Sequence, residues 1–184
     1  MPRSRSTAPA VKIALIYAVL TILTFQFLHI LAWGPVQFRV SEAFTVVAFL
    51  TPAAIPGLAA GSVIANLLAC VVTGNALLLF DVVLGSLGTL LGAWWTWRFR
   101  SRTWLGLLGP VVTNALIVPT YLPILLRSFG LTEIPEWGFF LSGNPFTVYL
   151  VLVASVGIGQ AVVLYGLGWP LLLLLRRSGW FQQA

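Results

Sequence analysis

Charge is the property that this chain has least of. Only 8% of its 184 residues are charged and 59% are apolar, whereas soluble proteins carry about 25% charged residues. No charged residue occurs in residues 13–38 or in residues 43–80. Such uncharged stretches exclude a soluble domain, and the length suits about six membrane spans of ~20 residues with short loops.

Cysteine and histidine are almost absent as well. Cys70 is the only cysteine, which excludes a disulfide within the chain, and there is no CxxC motif or Cys/His cluster to hold a metal. His29 is the only histidine, so no Ser/His/Asp set can be assembled, and we interpret it as a polar tip at the membrane interface. No P-loop is present, so the chain does not hydrolyse ATP itself. The sequence predicts a protein that is not an enzyme and holds no metal or cofactor.

The few charges are mostly basic, and their distribution predicts a topology. The net charge of +6 does not indicate nucleic acid binding, because the basic residues stand at segment ends rather than in a stripe interleaved with aromatics. With six crossings, one side collects Arg3, Arg5, Lys12, Arg98, Arg100, Arg102, Arg176 and Arg177. The other side holds Arg39, Arg127 and the acidic residues. Because basic loops stay inside, both termini are predicted to be cytoplasmic.

The predicted organisation is one all-α, six-helix membrane domain over residues 11–177. Residues 1–10 and 178–184 are predicted to be cytoplasmic tails. The expected helices cover about residues 11–32, 41–51, 56–73, 78–97, 103–127 and 146–177, judged against a span of ~20 residues. The second is so short that it needs tilt or neighbouring helices to cross, and without it the count falls to five and the termini separate.

Local signals refine the ends and interruptions of these helices. Ser41 is a plausible N-cap of the second helix, with Glu42 in its first turn. Glycines in the third and fourth helices predict close helix contacts. Pro110, Pro119 and Pro123 predict kinks in the fifth segment, and the last segment is expected to tilt or break at residues 166–170.

One stretch places opposite charges close together in this uncharged background. Gln37, Arg39 and Glu42 fall on the predicted outer side, and Asp81 lies at a similar level. Polar groups that converge at one end of an apolar bundle describe a small-molecule site. An arginine supplies fixed donors and a carboxylate supplies acceptors, which together match a flat heterocycle with donor and acceptor edges.

Structural alternatives exist for each of these residues. Arg39 and Glu42 have the spacing of a helical ion pair, which does not exclude ligand contact. Asp81 has the position of a cap for the fourth helix. Asn66, Asn114 and Gln160 are able to line the site or to bond across helices.

Three stretches resemble the queuosine-precursor transporter family. They are Gly34-Pro35-Val36-Gln37-Phe38-Arg39-Val40-Ser41-Glu42-Ala43, then Pro56-Gly57-Leu58 with Gly61 and Asn66, then Asp81-Val82-Val83-Leu84-Gly85-Ser86-Leu87-Gly88-Thr89-Leu90. The family supplies substrate-binding S components of energy-coupling-factor (ECF) importers. The resemblance matches Arg39, Glu42, Asn66 and Asp81 to the family pattern without assigning a contact to each, and with Gln37 and Asn114 they form the predicted substrate site.

The resemblance also implies partners. It implies a multi-pass protein of the cell membrane that binds a 7-deazaguanine base, such as queuine or its aminomethyl precursor. It further implies docking on a transmembrane coupling subunit joined to ATPases, and no nucleic acid partner. Small residues of the first helix form the docking face in S components, and Ala14 and Ala18 have the matching spacing, with internal packing as the alternative. An S component for another vitamin-like molecule and a membrane scaffold without a ligand remain the alternative functions.

Overall fold

The protein is a bundle of helices with one very short pair of strands. The computed structural model describes residues 7–27, 38–131, 133–134, 139–140 and 143–178. Its elements in order are α1 (Ala8–Phe27), a 3₁₀ helix (Val40–Phe49), α2 (Ala54–Thr73), a 3₁₀ turn (Ala76–Leu78), a π-helical turn (Asp81–Gly85), α3 (Ser86–Arg98), α4 (Thr103–Ile117), a 3₁₀ turn (Val118–Thr120), α5 (Leu122–Ser128), β1 (Glu133–Ile134), β2 (Phe139–Phe140), α6 (Pro145–Ala161), a π-helical turn (Val162–Gly168) and α7 (Trp169–Ser178). The two strands pair antiparallel, with Glu133 opposite Phe140.

Five helical stretches in the described part of the chain are long and apolar enough to cross a membrane. They are Ala8–Phe27, Ala54–Thr73, Ala76–Arg98, Thr103–Thr120 and Pro145–Ser178. The predicted helical membrane bundle is therefore confirmed. The helix Val40–Phe49 is shorter than these stretches, so the sixth crossing, the cytoplasmic termini and the two tails stay predictions.

The short 3₁₀ helix Val40–Phe49 lies at the centre of the bundle. Every residue from 41 to 49 is buried. Phe44 and Val47 pack with Ile13 of α1 in one apolar cluster, while Val46 and Phe49 pack with residues of α4 and α7 in another. A helix that is apolar all round is expected to be buried on every side. The other helices thus hold its first turn in a fixed place.

The predicted N-cap of this helix is wrong. Arg39 occupies the N-cap position with an extended backbone, and its side chain caps no backbone N–H. The backbone N–H of Glu42 donates to the carbonyl oxygen of Arg39 at 2.9 Å, so the first turn closes around Ser41 instead of starting from it. Ser41 is completely buried. Glu42 does stand in the first turn, as predicted.

Glycines bring neighbouring helices together where the sequence predicts close contact. A Cβ added to Gly61 of α2 would lie 2.6 Å from the carbonyl oxygen of Ala14 in α1. A Cβ added to Gly92 of α3 would lie 2.8 Å from the Cα of Pro110 in α4. Because both neighbours are backbone atoms that cannot move alone, these positions fix the α1–α2 and α3–α4 distances.

Some of the predicted interruptions are also present. The fifth segment changes to a 3₁₀ turn at Val118–Thr120, where Pro119 lacks an N–H for the α-helical hydrogen bond. The last segment passes through the π-helical turn Val162–Gly168 between α6 and α7. A second π-helical turn begins at Asp81, and such turns are frequent at functional sites.

Candidate functional site

A cluster of buried polar side chains surrounds the start of the central 3₁₀ helix. Its best-connected member is Asp81, which is 0% exposed. One carboxylate oxygen, Oδ2, accepts a hydrogen bond from Nη2 of Arg39 at 2.9 Å, and this contact is also an ion pair. The other, Oδ1, accepts from the hydroxyl of Tyr121 at 2.6 Å. Both oxygens of the carboxylate are thereby engaged.

Glu42 makes a similar but less complete set of contacts. It is 1% exposed, and its Oε1 accepts from the hydroxyl of Tyr17 in α1 at 2.6 Å. Among the described residues, its Oε2 has no hydrogen-bond partner although it is buried. One acceptor of this carboxylate therefore remains available.

The polar cluster extends between α2 and α3. The side-chain amide of Asn66 donates to the backbone carbonyl of Asp81 at 3.0 Å. Ser86 Oγ donates to Ser62 Oγ at 3.1 Å, and Ser62 lies one helical turn before Asn66. These bonds fix the π-helical turn that carries Asp81 against α2. Polar groups buried in an apolar bundle need such partners, because an unpaired one is costly.

The local fold explains why Asp81 and Arg39 meet. The π-helical turn Asp81–Gly85 ends in a glycine, and the Asp81 carboxylate fills the space that a side chain at Gly85 would need. A Cβ added to Gly85 would also lie 3.1 Å from the hydroxyl oxygen of Tyr121. Arg39, directly before the 3₁₀ helix, is 6% exposed. A buried guanidinium is expected to be paired with an acid, and Asp81 provides that acid.

Several buried polar atoms keep no partner within the part of the chain that the structure describes. They are Arg39 Nε, Ser41 Oγ, Glu42 Oε2, Asn114 Nδ2 and Gln160 Oε1. Three of them, on Arg39, Ser41 and Glu42, come from one turn, and Arg39 and Glu42 are joined by the backbone hydrogen bond of that turn. Among the described residues, Nε–H of Arg39 and Oε2 of Glu42 are thus an unpaired donor and an unpaired acceptor three residues apart at the start of the central helix.

Asn114 lies one turn further along the α3–α4 contact. A Cβ added to Gly88 would lie 2.6 Å from its Oδ1, and Gly88 follows Gly85 by one helical turn. Gln160 lies on α6, one turn after Gly157, which faces Ala115. Both amides are buried, Asn114 on α4 and Gln160 on α6.

The structure brings together most of the residues that the sequence singled out. Arg39, Glu42, Asp81 and Asn66 share one cluster, with Asn114 next to it. The alternative in which Arg39 and Glu42 pair with each other is wrong, because Arg39 pairs with Asp81 and Glu42 with Tyr17. In the described chain the Asp81 carboxylate bonds to Arg39 and Tyr121 and does not cap a helix. Asn66 does bond across helices, and Gln37 and His29 lie outside the described residues.

The two tyrosines of the site were not identified from the sequence. Tyr17 and Tyr121 are each 2% exposed, while Tyr149 and Tyr165 bond to backbone carbonyls at more exposed positions. A buried tyrosine needs a partner for its hydroxyl. In this sequence the scarce buried acids are the natural partners, but nothing in the local pattern distinguishes Tyr17 and Tyr121 from the other two.

Ala14 and Ala18 lie inside the chain's own packing. They are 5% and 3% exposed, and Ala14 faces Gly61 of α2. In this conformation both alanines pack inside the bundle, as in the internal-packing alternative, and neither is exposed for contact with a partner. Apolar side chains on the exposed face of α1, such as Leu15 and Val19, lie outward instead.

The described residues hold no group of three or more His, Cys, Asp or Glu that could bind a metal ion. The cluster instead combines one guanidinium, two carboxyl groups and two phenols. Because donors and acceptors of Arg39, Ser41 and Glu42 have no partner among the described residues, the chemistry of the cluster suits hydrogen bonding to a polar molecule.

Comparison with known proteins gives one match, which covers nearly the whole chain. A family model described as QueT transporter matches residues 10–177. No curated protein and no solved structure matches the chain. The match includes the stretch around Arg39 and Glu42 and all the helices that surround it. With its apolar helices and buried polar cluster, this multi-pass membrane protein belongs to the QueT transporter family.

Proposed function

We propose that the chain is the substrate-binding S component of an ATP-driven ECF importer that takes up queuosine precursors. The substrates are 7-deazaguanine bases such as queuine. Membership of the QueT transporter family supports the transport role. The sequence contains no P-loop, so energy from ATP has to come from ATPase subunits through a transmembrane coupling subunit. The protein acts in the cell membrane.

The observation that carries the proposal is the pair of unused atoms on Arg39 and Glu42. A guanine-like edge presents a carbonyl oxygen next to a ring N–H, and Arg39 Nε–H and Glu42 Oε2 are the complementary donor and acceptor. A buried polar atom without a partner costs about 1–3 kcal/mol. A ligand that bonds to both atoms removes this cost.

Burial makes these contacts selective. Hydrogen bonds to charged groups are stronger than neutral ones, and Arg39 and Glu42 are almost completely shielded from water. A molecule that enters this site without matching groups leaves both atoms unpaired. The site therefore favours a flat base with a lactam edge over apolar molecules of the same size.

Mass spectrometry of small molecules retained by the purified protein tests the substrate class. We expect a 7-deazaguanine base to be enriched over the same preparation of an Arg39→Ala, Glu42→Ala double variant. Retention of a different vitamin-like molecule would contradict the queuosine-precursor assignment. Equal small-molecule content in both preparations would indicate a scaffold without a ligand at this site.

Cellular uptake tests the ATP partnership. Cells that produce the chain together with an ECF coupling subunit and its ATPases should accumulate labelled queuine. Cells that produce the chain with ATPases lacking the P-loop lysine should bind but not accumulate it, because that lysine contacts the transferred phosphates. Accumulation by the chain alone would contradict the S-component role.

A further inference from the structure

The two buried acids of the cluster differ in how much of their bonding capacity is already used. Asp81 has Oδ1 bonded to Tyr121 at 2.6 Å and Oδ2 bonded to Arg39 at 2.9 Å. Glu42 has only Oε1 bonded, to Tyr17, and within the described chain its Oε2 is unpartnered. Asp81 is therefore engaged by other side chains through both oxygens, whereas Glu42 keeps one oxygen without a partner among the described residues.

Asp81 is already engaged on every side that the structure describes. Its Oδ2 accepts from Arg39 and its Oδ1 from Tyr121, its Oδ1 fills the place of a Gly85 side chain, and its backbone carbonyl holds Asn66. A ligand group at Asp81 would therefore compete with Arg39 and Tyr121 for the carboxylate oxygens.

We propose, resting on the function proposed above, that Asp81 and Tyr121 are positioning residues for Arg39 and do not contact the ligand. A guanidinium is planar, and its donors form a rigid fork. Fixing Nη2 on Asp81 Oδ2 restricts the orientation of that plane, and this in turn fixes the direction of Nε–H. Tyr121 holds the Asp81 carboxylate in the orientation that Arg39 needs.

In this arrangement Asp81 and Tyr121 affect the specificity of the site without touching the ligand, because they hold Arg39 in place. Nε–H of Arg39 recognises a carbonyl oxygen, which 7-deazaguanine has and 7-deazaadenine lacks. Sites built to hydrogen-bond a substrate group reject analogues without it most strongly when their own groups are held fixed. A less rigidly held Arg39 should therefore lower the affinity for 7-deazaguanine more than it lowers the affinity for 7-deazaadenine.

The experiment measures the ratio of the affinities for 7-deazaguanine and 7-deazaadenine by calorimetry on the detergent-purified full chain. Tyr121→Phe removes one hydroxyl at the site. Tyr165→Phe removes one hydroxyl that bonds the Trp104 carbonyl at 2.9 Å, away from the site, and is the matched control. We expect the ratio to fall about tenfold in Tyr121→Phe, the scale of one lost bond to a charged group, and to stay unchanged in Tyr165→Phe.

An unchanged ratio in a folded Tyr121→Phe protein would overturn the proposal, as would equal weakening of both bases. If Tyr121→Phe does not fold, the same ratio is measured in Asp81→Asn, which weakens the hold on Arg39 Nη2 but leaves the Nε–H of Arg39 in place. A reduced ratio in Asp81→Asn supports positioning, and an unchanged ratio overturns it.

Asp81→Asn supplies an independent outcome. If Asp81 only positions Arg39, the variant weakens the aminomethyl and nitrile forms of 7-deazaguanine alike. A loss confined to the cationic aminomethyl base would show direct contact between Asp81 and the ligand and would overturn the proposal. Failure of the unchanged protein to bind 7-deazaguanine would instead contradict the proposed function itself.

Discussion

Arg39 carries a full charge in a place where water does not reach it. Its ion pair with Asp81 is 2.9 Å long, and the two side chains are 7% and 0% exposed. Removing one member of a buried pair leaves the other charge uncompensated. The contribution of Asp81 to stability therefore comes mainly from the presence of Arg39.

This leads to a stability prediction for Asp81→Asn. The variant should unfold more readily by roughly 3–5 kcal/mol, the usual effect of breaking a buried pair, which thermal unfolding in detergent would measure. Tyr165→Phe, which removes a hydroxyl that bonds the Trp104 carbonyl away from the site, is the control and should change the unfolding temperature much less, because a neutral hydrogen bond contributes only about 1 kcal/mol. An unfolding temperature of Asp81→Asn equal to that of the unchanged protein would contradict this account of the pair.

Local spacing indicated which residues matter at the site but not their partners. Arg39 and Glu42 stand out because the sequence around them is uncharged, and that contrast was sufficient to locate the cluster. Their partners, Asp81 and Tyr17, lie 42 and 25 positions away in the chain. Such contacts depend on how α1, the 3₁₀ helix and the π-helical turn meet, and helical spacing carries no information on that.

At the scale of elements, α1 and α2 are held at a distance that only glycine permits. Gly57 and Gly61 both face the backbone of α1, with added Cβ atoms at 2.7 Å from Ala10 O and 2.6 Å from Ala14 O. Tyr17 lies one turn after Ala14 and contacts Glu42. The α1–α2 distance therefore also sets the position of the Tyr17 hydroxyl.

We expect Gly61→Ala to lower the stability of the protein. Overpacking of this kind typically costs about 1–3 kcal/mol, because the added methyl meets backbone rather than a movable side chain. Gly166→Ala is the matched control, since nothing lies within 4 Å of its added Cβ, and it should be neutral or slightly stabilising. Thermal unfolding of the two variants side by side checks this, and equal stability would show that α1 and α2 are not fixed by Gly61.

The element boundaries were mostly predictable, and the exceptions have a physical cause. Proline indicated the 3₁₀ turn at Val118–Thr120, and the break expected at residues 166–170 overlaps only the end of the π-helical turn Val162–Gly168. Pro110, also expected to interrupt its segment, lies inside the continuous helix Thr103–Ile117. The start of the central helix was misplaced because Ser41 has the chemistry of a cap, whereas tertiary packing buries it and places Arg39 at the N-cap. A local capping preference of about 1 kcal/mol is smaller than the energy of packing the whole helix.

At the scale of the whole molecule, the number of crossings depends on the short central helix. Five stretches have the length of a span, and Val40–Phe49 is the short one in the centre. Its complete burial by other helices means that lipid does not have to solvate it, so its length alone does not decide whether it crosses. The distribution of arginine favours six crossings, with both termini inside.

Cysteine labelling from the two sides of the membrane tests this topology. In a background in which Cys70 is replaced by Ala, Ser4→Cys and Gln182→Cys should both react only when the cytoplasmic side is exposed. Cysteine introduced at Arg100, in the α3–α4 connection, provides the reference for that side. Labelling of the two termini from opposite sides would establish an odd number of crossings and contradict the six-crossing prediction.

In the proposed complex, Arg39 and Glu42 present one donor and one acceptor to a 7-deazaguanine base. Calorimetry of 7-deazaguanine binding to the unchanged protein, to Glu42→Gln and to the control Tyr165→Phe measures the contribution of this acceptor. Glu42→Gln keeps the shape of the side chain but removes the charge and turns one acceptor into a donor. We expect Glu42→Gln to weaken binding by roughly 1.5–3 kcal/mol and Tyr165→Phe, whose lost hydroxyl bonds the Trp104 carbonyl away from the site, to have no effect. A folded Glu42→Gln protein that binds the base as tightly as the unchanged protein would contradict this expectation.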